Sequence, residues 1–344
     1  MSADPRPGVH GPPRLPDRAD IESACAIVRA VLPPTPQFRW PQLCAQLGTE
    51  VWLKHENHSP VGAFKLRGGL VYCARLAAGP ARPRGLVTAT RGNHGQSIPF
   101  AAARHGLPVT VVVPHGNGVE KNAAMRALGA TLVEHGDDFQ AAAEHAAALA
   151  VRDGLLRVPS FHPDLVAGVA SASMELFAAV DAIDVAYVPI GMGSGACAMA
   201  AARAALGLRT RIVGVVSRHA PAYARSLAAG APCVQPARTV LADGLACSTP
   251  DATALALLGP VLDHVVEVSD REVAQAMRTQ FACTPHLAKE KGAAEGAGAA
   301  AWAAAWAERA TLRGQRVAVL LTGGNVDSAQ FARVLTEPTG TWQA

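Results

Sequence analysis

The 344-residue chain has no CxxC pair, no block of lysine and arginine, and little aromatic content, at 5%. Its seven cysteines, Cys25, Cys44, Cys73, Cys197, Cys233, Cys247 and Cys283, are odd in number and widely spaced. That pattern argues against a disulfide framework or a cysteine zinc site, and suits buried thiols in a reducing compartment. The basic residues behind the net charge of +4 are scattered, which gives no case for a nucleic-acid partner. The main uncharged run, Val185 to Ala202, is broken by Pro189, Gly191, Gly193 and Gly195, so a membrane span is not expected. The N-terminus lacks the layout of a secretory signal. Pro5, Pro7, Pro12, Pro13 and Pro16 crowd it instead, and residues 1–18 read as a mobile tail. The expected location is cytoplasmic. Half the residues are hydrophobic, which excludes wholesale disorder and supplies a sizeable core.

From Gly85 onward, short Val/Leu-rich runs alternate with alanine-rich amphipathic stretches. Strands are expected at Gly85–Ala89, Val109–Val113, Thr131–Glu134, Val185–Ile190, Arg211–Val216, Val265–Val268 and Val317–Leu321. Helices are expected at Gly95–His105, Val119–Leu128, Phe139–Arg152, Ala196–Leu206, Asp270–Phe281 and Ala293–Ala310. Alternation of this kind predicts an α/β protein with parallel sheets covered on both faces. The length suits two lobes, with no linker marking their border. Residues 232–250 lack periodicity and read as loop.

Chemistry concentrates where glycine and polar residues interrupt apolar strands. In His55–Gly69, Lys65 sits in a Gly/Ala/Phe setting. Burial there would lower its pKa and leave an amine able to attack a carbonyl, whereas a snorkelling surface lysine is the plainer alternative. Thr88–Ser97 follows a strand and opens a helix, so its amides and Asn93 either bind an anion or simply make a turn and cap. Pro189–Ala196 carries GxGxG between a strand and a helix. That spacing supports a phosphate cradle better than a dinucleotide fingerprint or P-loop. Leu321–Asp327 lies beyond another strand, where ligands collect in open α/β sheets. A lysine amine, a phosphate cradle and a carboxylate cradle together meet the needs of pyridoxal 5′-phosphate. His55 and His58 have metal-like spacing but no evident companion ligand, and read as loop histidines.

Ser59–Gly69, Thr90–Gln96, Gly191–Gly195 and Thr322–Asp327 resemble, in order, the signature segments of fold-type II pyridoxal-phosphate enzymes, nearest to the serine/threonine dehydratase and serine racemase family. The resemblance runs from about Thr35 to about Val334. It implies a two-lobed fold like that of the tryptophan synthase β chain, each lobe a mostly parallel twisted sheet flanked by helices. Residues 19–69 and 161–344 would form the large cofactor-binding lobe and residues 70–160 a small mobile lobe inserted into it. It implies Lys65 as the Schiff-base lysine, Phe64 packing on the pyridine ring and Asn93 facing the ring hydroxyl. Gly191, Met192, Gly193, Ser194 and Gly195 match the phosphate loop, Gly244 a nearby loop, and Thr322 the hydroxyl facing the pyridine nitrogen. Thr90, Arg91, Gly92, Asn93 and His94 match the loop that holds the substrate carboxylate. Glu295 resembles a family glutamate near the site. The chain is expected to lack a separate regulatory domain, and a homodimer is left open.

The function so implied is β-elimination of a 3-hydroxy-L-amino acid such as threonine or serine to a 2-oxo acid and ammonia. The alternatives are a bulkier or acidic substrate, of phenylserine or 3-hydroxyaspartate type, and an amino-acid racemase. Arg91 stands where the family's racemases carry a serine that exchanges a proton. A guanidinium keeps its proton, so two-base racemization is disfavoured. Val216 and Ala222 stand where the racemase-like branch carries acidic metal ligands, so no metal is expected there.

Overall fold

The computed structural model describes residues 13–284 and 293–342. Its strands make two sheets. The larger contains β1 (Gln37–Phe38), β2 (Glu50–His55), β7 (Val185–Pro189), β8 (Arg211–Ser217), β9 (His264–Val268) and β10 (Arg316–Leu321). Their order is β1-β2-β10-β7-β8-β9, all parallel except β1 against β2. The smaller sheet is built within the sequence interval between β2 and β7. It contains β3 (Leu86–Ala89), β4 (Val109–Val113), β5 (Thr131–Glu134) and β6 (Leu156–Arg157), parallel throughout in the order β5-β4-β3-β6.

Helices cover both sheets. They are α1 (Arg18–Arg29), α2 (Pro41–Leu47), α3 (Lys65–Ala77), α4 (Asn93–Ala103), α5 (Val119–Ala127), α6 (Phe139–Asp153) and α7 (Pro163–Ala179). After β7 come α8 (Ser194–Ala205), α9 (Ala222–Ala229), α10 (Ala252–Leu258), α11 (Asp270–Cys283), α12 (Gly296–Ala307) and α13 (Ser328–Thr336). One face of the large sheet packs against α11 and α12 through Val185, Tyr187, Val213, Val317, Val319 and Trp302. The other face, with Ala186, Val188 and Ile212, packs against α7 and α8. Strands covered on both faces need side chains that are apolar on both, which is why β7 and β10 read as unbroken apolar runs. The tail expected over residues 1–18 lies outside the described residues up to residue 12. Leu15 packs against the apolar core and α1 starts at Arg18, behind an Asp17/Asp20 capping box. All seven cysteines are free, with Cys25, Cys73, Cys197, Cys247 and Cys283 buried. Among the described residues no helix is long and apolar enough to cross a membrane.

A buried ionic lattice stands behind the first turns of α3. A Cβ on Gly168 of α7 would lie 2.3 Å from the Arg67 carbonyl oxygen, so only glycine permits the approach of the two helices. Across that contact Arg67 Nε donates to Glu56 Oε2 at 2.7 Å, and its two terminal nitrogens donate to Glu175 at 2.7 Å each. Ser171 and Thr35 hydroxyls accept further Arg67 bonds. Lys54 Nζ donates to Glu175 Oε2 at 2.7 Å. Lys54 and Arg67 balance Glu56 and Glu175, and all four are buried. Removing one member leaves a buried charge uncompensated, at a cost of about 3–5 kcal/mol. Arg67→Ala is therefore expected to lower the unfolding free energy by about that amount in denaturant titration. A loss under about 1 kcal/mol, as for an exposed pair, would contradict this account.

Candidate active site

Four strand ends face one cavity. β2 leads through a short 3-10 turn to Lys65, β3 to the Thr90–His94 loop, β7 to the Gly191–Gly195 loop, and β10 to Thr322. The cavity is lined by every site residue singled out in the sequence: Phe64, Lys65, Thr90, Arg91, Gly92, Asn93, His94, Gly191, Met192, Gly193, Ser194, Gly195, Gly244 and Thr322. Glu295 lines it too. Residues far apart in the chain meet because parallel strands place all their carboxyl ends on one side.

Lys65 opens α3. Its Nζ donates to Ser194 Oγ at 2.9 Å and lies 5.1 Å from the centre of the Phe64 ring. Two bonds hold the backbone here: Phe64 N donates to Thr322 O at 3.0 Å, and Ser97 Oγ to Lys65 O at 2.6 Å. Burial disfavours the ammonium and lowers its pKa to about 8. The amine is therefore available far closer to neutrality than that of an ordinary lysine.

The loop before α8 is an anion cradle. The N–H groups of residues 191–195 find no acceptor among the described residues. Gly193 takes a φ of +91°, and a Cβ on Gly191 would lie 2.3 Å from Gly244 O. The two non-glycine positions do not obstruct the cradle. Met192 packs against the apolar core and its Sδ is met by the Cys247 thiol at 3.7 Å, while Ser194 Oγ accepts from Lys65. Unpaired amides at a helix N-terminus suit a phosphate dianion.

A second set of amides opens α4. Thr90 Oγ1 accepts from Gly92 N at 2.9 Å and Gly95 N at 3.4 Å, which fixes the turn. The N–H groups of Asn93 and His94 have no acceptor among the described residues. The helix starts at Asn93, two residues before the expected Gly95, so these amides belong to its first turn. His94 is buried, and burial together with the Lys65 charge lowers its pKa to about 3, so it is neutral. Arg91 lines the cavity with no partner among the described residues. The buried Thr322 hydroxyl is likewise unpartnered among them.

Three contributors escaped the reading of the sequence as site residues: Lys121, Asp243 and Asn325. Lys121, in the first turn of α5, pairs with Asp243. Burial pulls its ammonium down, yet the charges of Asp243, Glu295 and Asp327 hold it above the ordinary lysine value. Burial and the charge of Asp243 push Glu295 up to about 7 against the opposing pull of Lys121. Asn93 Nδ2 donates to Glu295 Oε1 at 2.6 Å and Asn325 Nδ2 donates to Asn93 Oδ1 at 2.8 Å. Nearer solvent, the Asp327 carboxylate accepts from Val119 N at 3.0 Å, at the start of α5. The Glu120 carboxylate accepts from Ser328 N at 2.8 Å, at the start of α13. Each helix is thus capped by an acid of the other. None of these side chains carries a local signal, since a surface Lys, Glu or Asp at a helix start reads as solvated. Away from the cavity, the His55 and His58 rings meet edge to face at 5.6 Å, and His55 Nε2 accepts from Trp40 Nε1 at 3.1 Å.

A buried amine with unpaired amides on either side defines an enzyme that captures a phosphorylated aldehyde cofactor. Residues 28–323 match the family described as Pyridoxal-phosphate dependent enzyme. L-threonine ammonia-lyase of Thermotoga maritima is 30% identical over 319 residues, 92% of this chain and 78% of its own length. L-threo-3-hydroxyaspartate ammonia-lyase of Saccharomyces cerevisiae is 27% identical, covering 94% and 97% of the two chains. The crystal structure of the T.th. threonine deaminase superposes with a TM-score of 0.82 at 30% identity, over 91% of this chain and 99% of that one. The chain spans only 56% of the biosynthetic L-threonine dehydratase of Escherichia coli, at 29% identity. The chain belongs to the pyridoxal-phosphate-dependent enzymes, and its fold is that of fold type II. Its cofactor is pyridoxal 5′-phosphate, and the residues present fit it: the unpaired amides of 191–195 suit the phosphate, and Gly191 lets that loop pack against Gly244 O, which a Cβ would meet at 2.3 Å.

The low pKa of Lys65 sets the pH dependence of loading. Only the unprotonated amine attacks the aldehyde, so capture of pyridoxal 5′-phosphate by cofactor-free protein should accelerate as pH rises through about 8 and then level off. Rapid-mixing absorbance measures this directly. A midpoint near that of a free lysine, about 10.4, would refute the burial argument.

Proposed function

We propose that this protein is an ammonia-lyase that converts a 3-hydroxy-L-amino acid, with threonine and serine as first candidates, into a 2-oxo acid and ammonia. The observation that carries this reading is the convergence of the Lys65 amine, the free amides of 191–195, the free amides of Asn93 and His94, and the neutral Thr322 hydroxyl on one cavity. The similarity to L-threonine ammonia-lyase over 92% of the chain supports it.

When bound, the cofactor supplies an electrophilic carbon for the substrate amine and an electron sink for charge at the α-carbon. Lys65 would hold that carbon, give it up to the substrate, and then remove the α-proton with the freed amine. Ser194 Oγ, 2.9 Å from Nζ, steadies the amine between these tasks. The amides of Asn93 and His94, with the α4 dipole behind them, would hold the substrate carboxylate, and neutral His94 adds no competing charge. Phe64 would pack on the ring, and Asn93 would face its hydroxyl. Thr322 would face the ring nitrogen, where a neutral hydroxyl cannot keep a proton as a carboxylate would. A weaker sink disfavours a long-lived carbanion and suits prompt loss of the β-hydroxyl. The sum loses water on elimination and regains it when the imine hydrolyses to 2-oxo acid and ammonia.

Residues 70–160 serve in this reading as a small lobe that closes on the large one, consistent with the contacts that Asn93, Lys121 and Glu120 make across the cleft. We place the reaction in the cytoplasm, in keeping with seven free thiols. A homodimer belongs to the reading on the strength of the resemblance alone.

A second substrate class is favoured by Arg91. It faces the cavity without a partner among the described residues, whereas Lys121 is neutralised by Asp243. An acidic 3-hydroxy amino acid would give it a counter-charge. A panel of 3-hydroxy amino acids, scored by 2-oxo acid release, separates the cases. Lys65→Ala should abolish release and borohydride trapping of cofactor on the protein. Under the acidic alternative, Arg91→Ala should cut kcat/KM for 3-hydroxyaspartate by about 10- to 100-fold, the weight of a charged hydrogen bond, and spare threonine. Retained turnover in Lys65→Ala would refute the whole assignment.

A further inference from the structure

The carboxamide of Asn93 is bonded at both ends from across the cleft. Its Nδ2 donates to Glu295 Oε1 at 2.6 Å, and its Oδ1 accepts from Asn325 Nδ2 at 2.8 Å. Asn325 Nδ2 also donates to Val61 O at 2.8 Å, which ties this amide to the loop leading to Lys65. Glu295 is the N-cap residue of α12, with its backbone N–H on Gly323 O at 3.1 Å. An ionised carboxylate can only accept, and the NH2 of Asn325 can only donate. A flipped Asn93 would set oxygen against carboxylate and NH2 against NH2, losing both bonds at once. With one Nδ2 hydrogen committed to Glu295, the other is left for the cavity.

We propose that Glu295 and Asn325 are positioning residues that lock the Asn93 carboxamide in one orientation and thereby deliver its second Nδ2 hydrogen to the ring hydroxyl oxygen of pyridoxal 5′-phosphate. The proposal rests on the reading above that Asn93 faces that hydroxyl. Donation to the oxygen favours its ionised form, so the lock tunes the electronic state of the ring without touching it. The Glu295 half of the lock works only while that carboxylate is ionised. Lys121 and Asp243 face its carboxyl, with Asn93 and Asn325 as neutral neighbours. Lys121 stays charged and His94, on α4, stays neutral near pH 7, leaving Glu295 to titrate at about 7. Its protonated form can donate, and no longer dictates which end of the amide it meets.

The test uses cofactor-loaded wild type, Glu295→Gln, Asn325→Ala and Asn93→Ala, each first shown by borohydride trapping to carry cofactor on Lys65. The readout is the visible spectrum, in which ionised and protonated forms of the ring hydroxyl absorb at longer and shorter wavelength. At a pH well above 7, Glu295→Gln and Asn325→Ala should each lower the long-to-short band ratio by about threefold or more, the weight of one hydrogen bond. Asn93→Ala should do at least as much. In wild type the ratio should fall with acid through about 7, and this titration should vanish in Glu295→Gln. If Asn93→Ala shifts the ratio but the other two leave it unchanged, the positioning role is overturned while the reading of Asn93 stands. If Asn93→Ala is itself silent, both fall. A Glu295→Gln enzyme that keeps the wild-type titration also overturns the proposal, and Asn325→Ala tests the same lock should Glu295→Gln fail to load.

Discussion

The site depends on a fully buried guanidinium. Arg67 sits two residues beyond Lys65, and its donors are spent on Glu56, Glu175, Ser171 and Thr35. Those partners come from the segment before β1, from the turn after β2 and from α7, so one side chain pins three parts of the chain to the start of α3. The lattice is neutral in sum and buried, which makes it stiff: any displacement of α3 would strand a charge in apolar surroundings. Lys65 inherits that rigidity. A reactive amine must be held close to its target, and here the holding is done by ions that never meet a ligand.

From this anchor the cavity divides its labour by charge. The amides of 191–195 form a positive concavity on the large-sheet side, and the first turn of α4 offers a second on the small-sheet side. Between them lie the groups with displaced protonation: an amine brought down to about 8, a carboxyl raised to about 7 and an imidazole held neutral at about 3. Each shift has burial as its largest cause. The common origin is burial between two sheets, where every charge is weighed against the few neighbours that answer it.

Much of this was legible in the residues. Strand runs such as Thr131–Glu134 and Val109–Val113 match the observed strands residue for residue; in the second, a strand covered on both faces leaves little room for polar residues. Glycine clusters after β3, β7 and β10 marked the strand ends and hence the cavity. Elements before Gly85 were not assigned from periodicity; β1 and α2 are short, while α1, β2 and α3 are of ordinary length and went unread. Helix α7 went unrecognised because it is buried almost all round, which erases the polar stripe that signals an amphipathic helix. Contacts across the cleft were illegible for another reason. The roles of Glu295, Asn325, Lys121 and Asp243 are set by which sheet meets which, and no local pattern encodes a meeting between residues about two hundred positions apart, as Asn93 and Glu295 are.

The crossed caps between α5 and α13 carry a mechanical consequence. Because α5 and α13 each borrow their terminal acceptor from the other, parting them bares two helix ends together. A missing cap costs about 0.5–2 kcal/mol, so the pair disfavours separation by about 1–4 kcal/mol. That is a bias of roughly five- to a thousandfold toward the joined helices. The two caps therefore act as one fastening between the helices, since neither end is bared without the other.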